Sequence, residues 1–401
     1  MMASPLPVQR TCPFAPPAEH VRLSQEEPVA RVELPSGSTA WALTRLDDVR
    51  AMLSDPRFSS DRWHPGFPLL FAGRPRPNGV GRSLIAMDPP EHGPARRKVV
   101  GEFTVKRIAA LRPRVQQIVD EHIDALLAGP SPADLVRALS LPVPSLVICE
   151  LLGVPYADHE FFQQHTANLL RATTPAEERD RSIGEIKSYI SALVDEKAAT
   201  PGDDLLSRQI ALAGEWGPQA REDVISLGIL LLIAGHETTA NMISLGVMTL
   251  LEHPDQLAAL RADPQVTPRA VEELLRYFTI AEFATSRVAI QDVEIGGTLI
   301  QAGEGVVTLG NTANRDPAAF DHGDELDFER GARHHVAFGF GAHQCLGQNL
   351  ARLELQIVFD TLFRRVPGLR LAAPVDDLPF KDDAILYGLY ELPVAWDPAE
   401  R

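Results

Sequence analysis

The sequence predicts a mainly α fold: one large helical domain over residues 1–401 with a smaller β-rich region. Three observations carry this expectation. Apolar residues recur at helical spacing from Pro90 to about Leu275. Within that region, Glu222 to Glu252 reads as one helix of about 31 residues, roughly 46 Å long at 1.5 Å per residue, and a helix that long and apolar should cross the centre of the molecule. Short alternating stretches are confined to the beginning and the last third of the chain.

Taken in order, residues 1–20 are rich in Pro and are expected to be mobile. Pro28 to Leu34 alternates, Pro35-Ser36-Gly37-Ser38 turns, and Thr39 to Thr44 returns, a hairpin pattern followed by a short helix that Ser54-Asp55-Pro56 closes. Ser60 to Arg82 is dense in Pro, Gly and Arg and reads as a long functional loop. The long helix should stop at His253-Pro254, and Thr267-Pro268 should start another, with Thr as cap and Pro in the first turn. Extended segments are expected at Val293 to Ile300, Gly305 to Leu309 and Ile385 to Val394.

Of the 401 residues 45% are hydrophobic, ample for a large core, and no linker, low-complexity run or repeat divides them. A net charge of −16 argues against general nucleic-acid binding, which needs a basic footprint. The opening MMASPLPVQRTCPFAPP lacks a basic stretch followed by an apolar one, and the strongest apolar run, Val224 to Ala234, is too short to span a bilayer. A cytoplasmic protein with no membrane segment is expected. The three cysteines are too few and too scattered for a disulfide framework. Cys149 lies in an apolar run and reads as a buried small hydrophobe, and Cys12 lies in the Pro-rich opening.

Cys345 has unusual neighbours. Phe338-Gly339-Phe340-Gly341-Ala342-His343-Gln344-Cys345-Leu346-Gly347 runs straight into a helical pattern. Glycines allow tight turns that aim N–H groups at a sulfur, and the following helix N-terminus favours its negative charge. A dinucleotide loop would need Gly where Gln344 stands, and a zinc site lacks both a CxxC partner and the second His of HExxH at His236-Glu237-Thr238-Thr239-Ala240. Midway along the long helix, Ala234-Gly235-His236-Glu237-Thr238-Thr239 interrupts the apolar run with poor helix-interior residues. A Thr hydroxyl there can bond a carbonyl one turn back and open a groove. Taken alone, such a segment serves equally as a polar helix–helix contact.

The cysteine segment fits F-G-x-G-x-H-x-C-x-G at every fixed position, and the helix segment fits A-G-x-[D/E]-T-T. In both the chain resembles the cytochrome P-450 family, with the remaining motifs in the family's order from about Val29 to Trp396. It is most similar to the soluble bacterial branch that includes hydroxylases of macrolides, vitamin D and herbicides. The resemblance implies a haem–thiolate monooxygenase carrying haem b, with Cys345 as the metal ligand. It implies Thr238 as the alcohol that hydrogen-bonds dioxygen and Glu237 as the acid that relays protons. Ala234 and Gly235 are then small so that oxygen fits over the haem.

Further implications concern the cofactor's carboxylates and the frame. His92 and Arg96, one turn apart, match the family's H-x-x-x-R, and Arg287 and His343 match further propionate contacts. Pro94 must then fall in the first helical turn. Glu273 and Arg276 form E-x-x-R, which alone is usually a surface bridge but in the family locks to a third residue, for which Arg330 is the candidate. The pocket is expected from Leu84 and Ile85, Leu230 and Ile233, Phe283 and Ala284, and Ile385 or Leu386. These are apolar, so a lipophilic small molecule is the expected substrate. Arg74 and Arg82 could pair with a polar group on it. Electrons are expected from a ferredoxin and its reductase, guided by Arg97, Lys98, Lys106, Arg107 and Arg352. The protein should be a monomer. Rival readings are a peroxide-driven haem enzyme, a haem sensor, and a helical scaffold, which would purify without haem.

Overall fold

A computed structural model describes residues 3–70 and 83–397. Its centre is a helix of 35 residues, Pro218–Glu252, four residues longer at its start than the apolar pattern indicates. The extra turn is polar and begins with Pro218 after the extended Gly217, so hydrophobic periodicity does not mark it. The helix ends at His253-Pro254 as expected. By length and composition it could cross a membrane, but 61% of its apolar window is buried inside the protein, which makes it a core helix. At Gly235 the helix Pro142–Leu152 comes so close that an added Cβ would lie 2.7 Å from Ile148 Cγ1. Gly235 is therefore small to admit Ile148, a packing reason that stands beside the expected one.

The main core cluster joins these helices to Arg112–Ala128, Thr267–Phe278 and Gln348–Arg365. Thr267 occupies the first helical position instead of the cap; its hydroxyl donates across to Asp360. The β-rich region holds a six-stranded sheet. Its order is Ser4–Pro5, Val29–Glu33, Thr39–Leu43, Gly305–Thr308, Arg287–Ala289, Phe58–Ser59. The expected hairpin pairs Val29 with Leu43 and Glu33 with Thr39. Val293–Ile295 and Thr298–Ile300 form a second hairpin, and Pro393–Ala395 pairs with Arg370–Leu371 and Ala133–Asp134.

The opening segment departs from expectation. From residue 3 it is packed, not loose: Ser4–Pro5 extends the sheet, Leu6 is buried, and Arg315 donates to the Phe14 carbonyl at 2.6 Å. Arg10 donates to the Phe278 carbonyl at 3.0 Å and stacks on Tyr387, whose hydroxyl donates to the Pro13 carbonyl at 3.0 Å. These contacts use backbone carbonyls, which every sequence offers. Of the expected long loop, residues 71–82, including Arg74 and Arg82, lie outside the described residues.

One buried acid has a measurable consequence. Glu354, on the helix after Cys345, is buried with its Oε2 unpartnered. Burial pushes its carboxyl well above the ordinary 4.5. A raised acid binds its proton more tightly folded than unfolded, so its contribution is fully present below the unfolded value and falls as pH rises toward the folded one. Glu354→Gln should remove that loss and stabilise the protein by about 1–3 kcal/mol in mildly alkaline solution and by little in acid. Thermal melts across pH for both proteins check this; parallel curves would refute it.

Candidate active site

Cys345 is set by the turn that precedes it. Gly339 and Gly341 adopt φ of +68° and +70°, and a Cβ at Gly341 would sit 2.5 Å from the Leu53 carbonyl oxygen. Cys345 N–H donates to the Phe338 carbonyl at 2.8 Å. Its sulfur receives the backbone N–H groups of Gly347 and Gln348 at the start of Gln348–Arg365. Burial pushes the thiol up, while these N–H groups, Arg96 and Arg352 draw it down. The side chain is nonetheless exposed, so its sulfur is open to a ligand. Cys149 is buried, which pushes its thiol to about 12 and leaves it inert.

Beside the cysteine gathers a set of basic groups. His92 lies at the start of His92–Val100, which has Pro94 in its first turn, and its ring stacks on His343 at 3.9 Å. Arg96 donates to the Gln344 carbonyl at 2.5 Å, and Arg287 to the Ser286 carbonyl at 2.8 Å. Ser60 and His343 are hydrogen-bonded at 3.0 Å, and Ser60 N–H donates to Asp88 at 2.7 Å. Burial, then Arg287, His92 and Arg96, lowers His343 to about 3. Burial, then Arg62, lowers Arg287 to about 10. Arg62, His92, Arg96, Arg287 and His343 thus gather with one acid, Asp88, acting on Arg287 and His92, and His92 Nε2 is buried without a partner. Such a cluster demands anions.

On the core helix, the Thr238 hydroxyl donates to the Ala234 carbonyl at 2.9 Å, one turn back, and the helix continues unbroken. Ala234 is exposed in the middle of this otherwise buried helix. Glu237 is paired to Lys381, and His236 Nδ1–H donates to the Leu232 carbonyl at 2.8 Å. Burial pushes the Glu237 carboxyl up, but Lys381, with His236 and Arg171, outweighs it and leaves it below the usual value.

The E-x-x-R pair is no surface bridge. Glu273 and Arg276 are 1% and 0% exposed, joined at 2.7 and 2.8 Å. Arg276 also donates to the carbonyls of Asn314, Gly323 and Glu325, and Arg330 joins Glu273 at 3.1 Å as expected. Next to it, Glu272 binds Arg352 at 2.5 and 3.0 Å and His335 at 3.2 Å, which holds it at about 2 despite burial. Arg352 is therefore committed to the frame rather than to a docking patch. Arg107 pairs with Glu102 at 2.9 Å, leaving Arg97, Lys98 and Lys106 exposed on the cysteine side.

These arrangements are those of a known family. The sequence model of the cytochrome P-450 family matches residues 203–367. Pentalenic acid synthase of Streptomyces avermitilis is 52% identical over 97% of this chain and 96% of its own. The chain belongs to the cytochrome P-450 family. Vitamin D3 dihydroxylase of Streptomyces griseolus is 48% identical, covering 98% and 97% of the two chains. The crystal structure of cytochrome P-450 MoxA from Nonomuraea recticatena superposes with a TM-score of 0.91 at 56% identity, covering 99% of each chain. The protein is a haem-iron monooxygenase that acts with O2 on a lipophilic small molecule. The residues present fit the cofactor: a cysteine with two N–H donors at its sulfur, and a cationic cluster with an unpartnered histidine nitrogen where carboxylates would sit. Among the described residues no three His, Cys, Asp or Glu side chains converge as a metal cage.

The expected substrate residues are only partly brought together. Phe283 and Ile385 line one cavity of about 40 Å³ with Leu70, Ile280, Ala384 and Lys381. Leu230 and Ile233 pack partly buried against the main core, Leu84 is buried within it, and Ile85 and Ala284 are exposed. Leu386 is buried. A larger cavity, about 300 Å³ against the first sheet, shares no residue with these. Sequence reasoning missed Arg62, Glu272 and Lys381. Glu272 adjoins the E-x-x-R motif, a usable signal; a lone Lys near the end of the chain gives none.

Proposed function

We propose that the enzyme carries haem b on Cys345 and takes electrons from a ferredoxin and its reductase to hydroxylate or epoxidise a lipophilic secondary metabolite or xenobiotic. The observation that carries this is the Cys345 turn, whose two N–H donors stabilise a thiolate at an accessible position. When bound, the haem supplies oxygen activation, placing one atom of O2 in substrate and the other in water. His92, Arg96, Arg287 and His343, with Arg62, would hold its two carboxylates. Thr238, whose hydroxyl turns back on the Ala234 carbonyl, would redirect that hydrogen bond to oxygen, and Glu237 would hold and pass protons from the hairpin side. Ala234 leaves room above the ring. Phe283 and Ile385 are our strongest pocket residues, with Leu230 and Ile233 one turn before Ala234.

The relatives' names, a pentalenic acid synthase and a vitamin D3 dihydroxylase, support a lipophilic metabolite as substrate. Exposed Arg97, Lys98 and Lys106 suit an acidic ferredoxin despite the net charge of −16. We read the chain as one domain and a cytoplasmic monomer. The deciding measurement is the absorption spectrum of the reduced, carbon-monoxide-bound protein. The long-wavelength band of haem–thiolate proteins is expected, and a band at the ordinary haem position would remove Cys345 from its role. Titration of the resting spectrum with a panel of lipophilic metabolites then identifies the substrate class.

A further inference from the structure

The last hairpin brings a charge into the oxygen site. Phe380 pairs with Leu389, Lys381 N–H donates to the Gly388 carbonyl at 2.9 Å, and Tyr390 N–H to the Pro379 carbonyl at 2.9 Å. The hairpin packs directly on the core helix: a Cβ at Gly388 would lie 2.3 Å from Asn241 Oδ1. It is tied on its other side to the segment after His159–Leu170, where Ile385 N–H donates to the Leu170 carbonyl at 3.1 Å and Ala172 N–H to the Asp383 carbonyl at 2.7 Å. From this platform the Lys381 ammonium reaches Glu237 and, at 2.8 Å, Asn241 Oδ1. These two acceptors are one helical turn apart, so a single cation spans both. The Lys381 and Glu237 side chains are each 11% exposed.

We infer that Lys381 is the positioning residue of Glu237: it keeps the carboxylate ionised and turned toward the hairpin, the side from which the proton must come. This rests on Glu237 being the proton-relay acid. Three charged or titratable groups face that carboxyl. Lys381 comes from the hairpin, His236 from the same helix, and Arg171 from the end of the preceding helix pair. Burial holds His236 below its ordinary value and therefore neutral at physiological pH. Among the described residues Lys381 alone is in contact with the carboxylate as a cation, so without it burial governs, and a buried carboxyl prefers its proton. The same hairpin presents Ile385 beside Phe283, so one element carries both a pocket wall and the clamp on the acid.

The test uses haem-loaded Lys381→Met, with Lys381→Gln as a second neutral variant that keeps a donor for Asn241. Infrared difference spectra of the resting enzyme across pH read the carboxyl directly. A protonated-carboxyl band should appear in the neutral range in both variants. This band, separate from that of the buried Glu354 carboxyl common to every variant, should be absent from the wild type and from the Lys381→Met, Glu237→Gln double variant. Turnover should gain a pH limb at the value the band reports, with kcat lowered about tenfold at neutral pH, KM little changed, and recovery in Lys381→Arg. Either variant without the band, or a band that survives in the double variant, overturns the inference. The band needs no turnover, so a failed relay reading shows separately, as undiminished turnover in Glu237→Gln alone.

Discussion

Arg276→Leu is expected to leave no haem-loaded protein. Arg276 is fully buried and makes five hydrogen bonds, two to Glu273 and three to carbonyls of the segment leading to the cysteine loop. Removing it strands the Glu273 carboxylate, whose remaining partners are Arg330 and the Asp327 N–H. Breaking a buried pair from one side costs about 3–5 kcal/mol, and the orphaned carbonyls add to it. That is a large part of the 5–15 kcal/mol that holds a typical domain together. Arg276→Lys should fail nearly as badly, because an ammonium cannot serve both carboxylate oxygens and three carbonyls at once. The check is the haem-to-protein absorbance ratio together with the melting temperature. A haem-replete Arg276→Lys protein melting within a few degrees of wild type would show that the network is ornamental.

Cys345→Ser should have the opposite character, with the fold kept and the chemistry lost. The change is one atom at an exposed position, and the Gly347 and Gln348 N–H groups can donate to a hydroxyl as to a sulfur. A hydroxyl ionises far less readily than a thiol and lacks the electron push that favours O–O cleavage. We expect melting within about 1 kcal/mol of wild type. The long-wavelength band of the reduced carbon-monoxide complex should disappear, and product should fall below detection. An unchanged band would mean that another residue ligates the iron.

The parts of this molecule legible in its sequence are those where chemistry dictates residue identity. No other side chain replaces the thiolate at Cys345, and Gly341 at positive φ against Leu53 admits no Cβ, so the loop announces itself. Arg330 was found because the E-x-x-R motif requires a third member. What remained hidden depends on distant pairing. Lys381 meets Glu237 across 144 positions, and Arg352 meets Glu272 across 80, and nothing local distinguishes such charges from solvated ones. The packed opening segment was hidden for another reason. It is held by carbonyl oxygens at Pro13 and Phe14, and those leave no mark on composition.

The opening segment and the last hairpin hold each other: Arg10 and Pro13 bind Tyr387, six residues beyond Lys381. A stretch made early on the ribosome therefore waits for one made 374 positions later. Until residues beyond 387 have left the exit tunnel, Glu237 lacks the Lys381 ammonium. Completion of the oxygen site thus comes late in synthesis, and a chain stopped short of Lys381 by a premature stop codon would carry Cys345 and its basic neighbours yet lack the clamp.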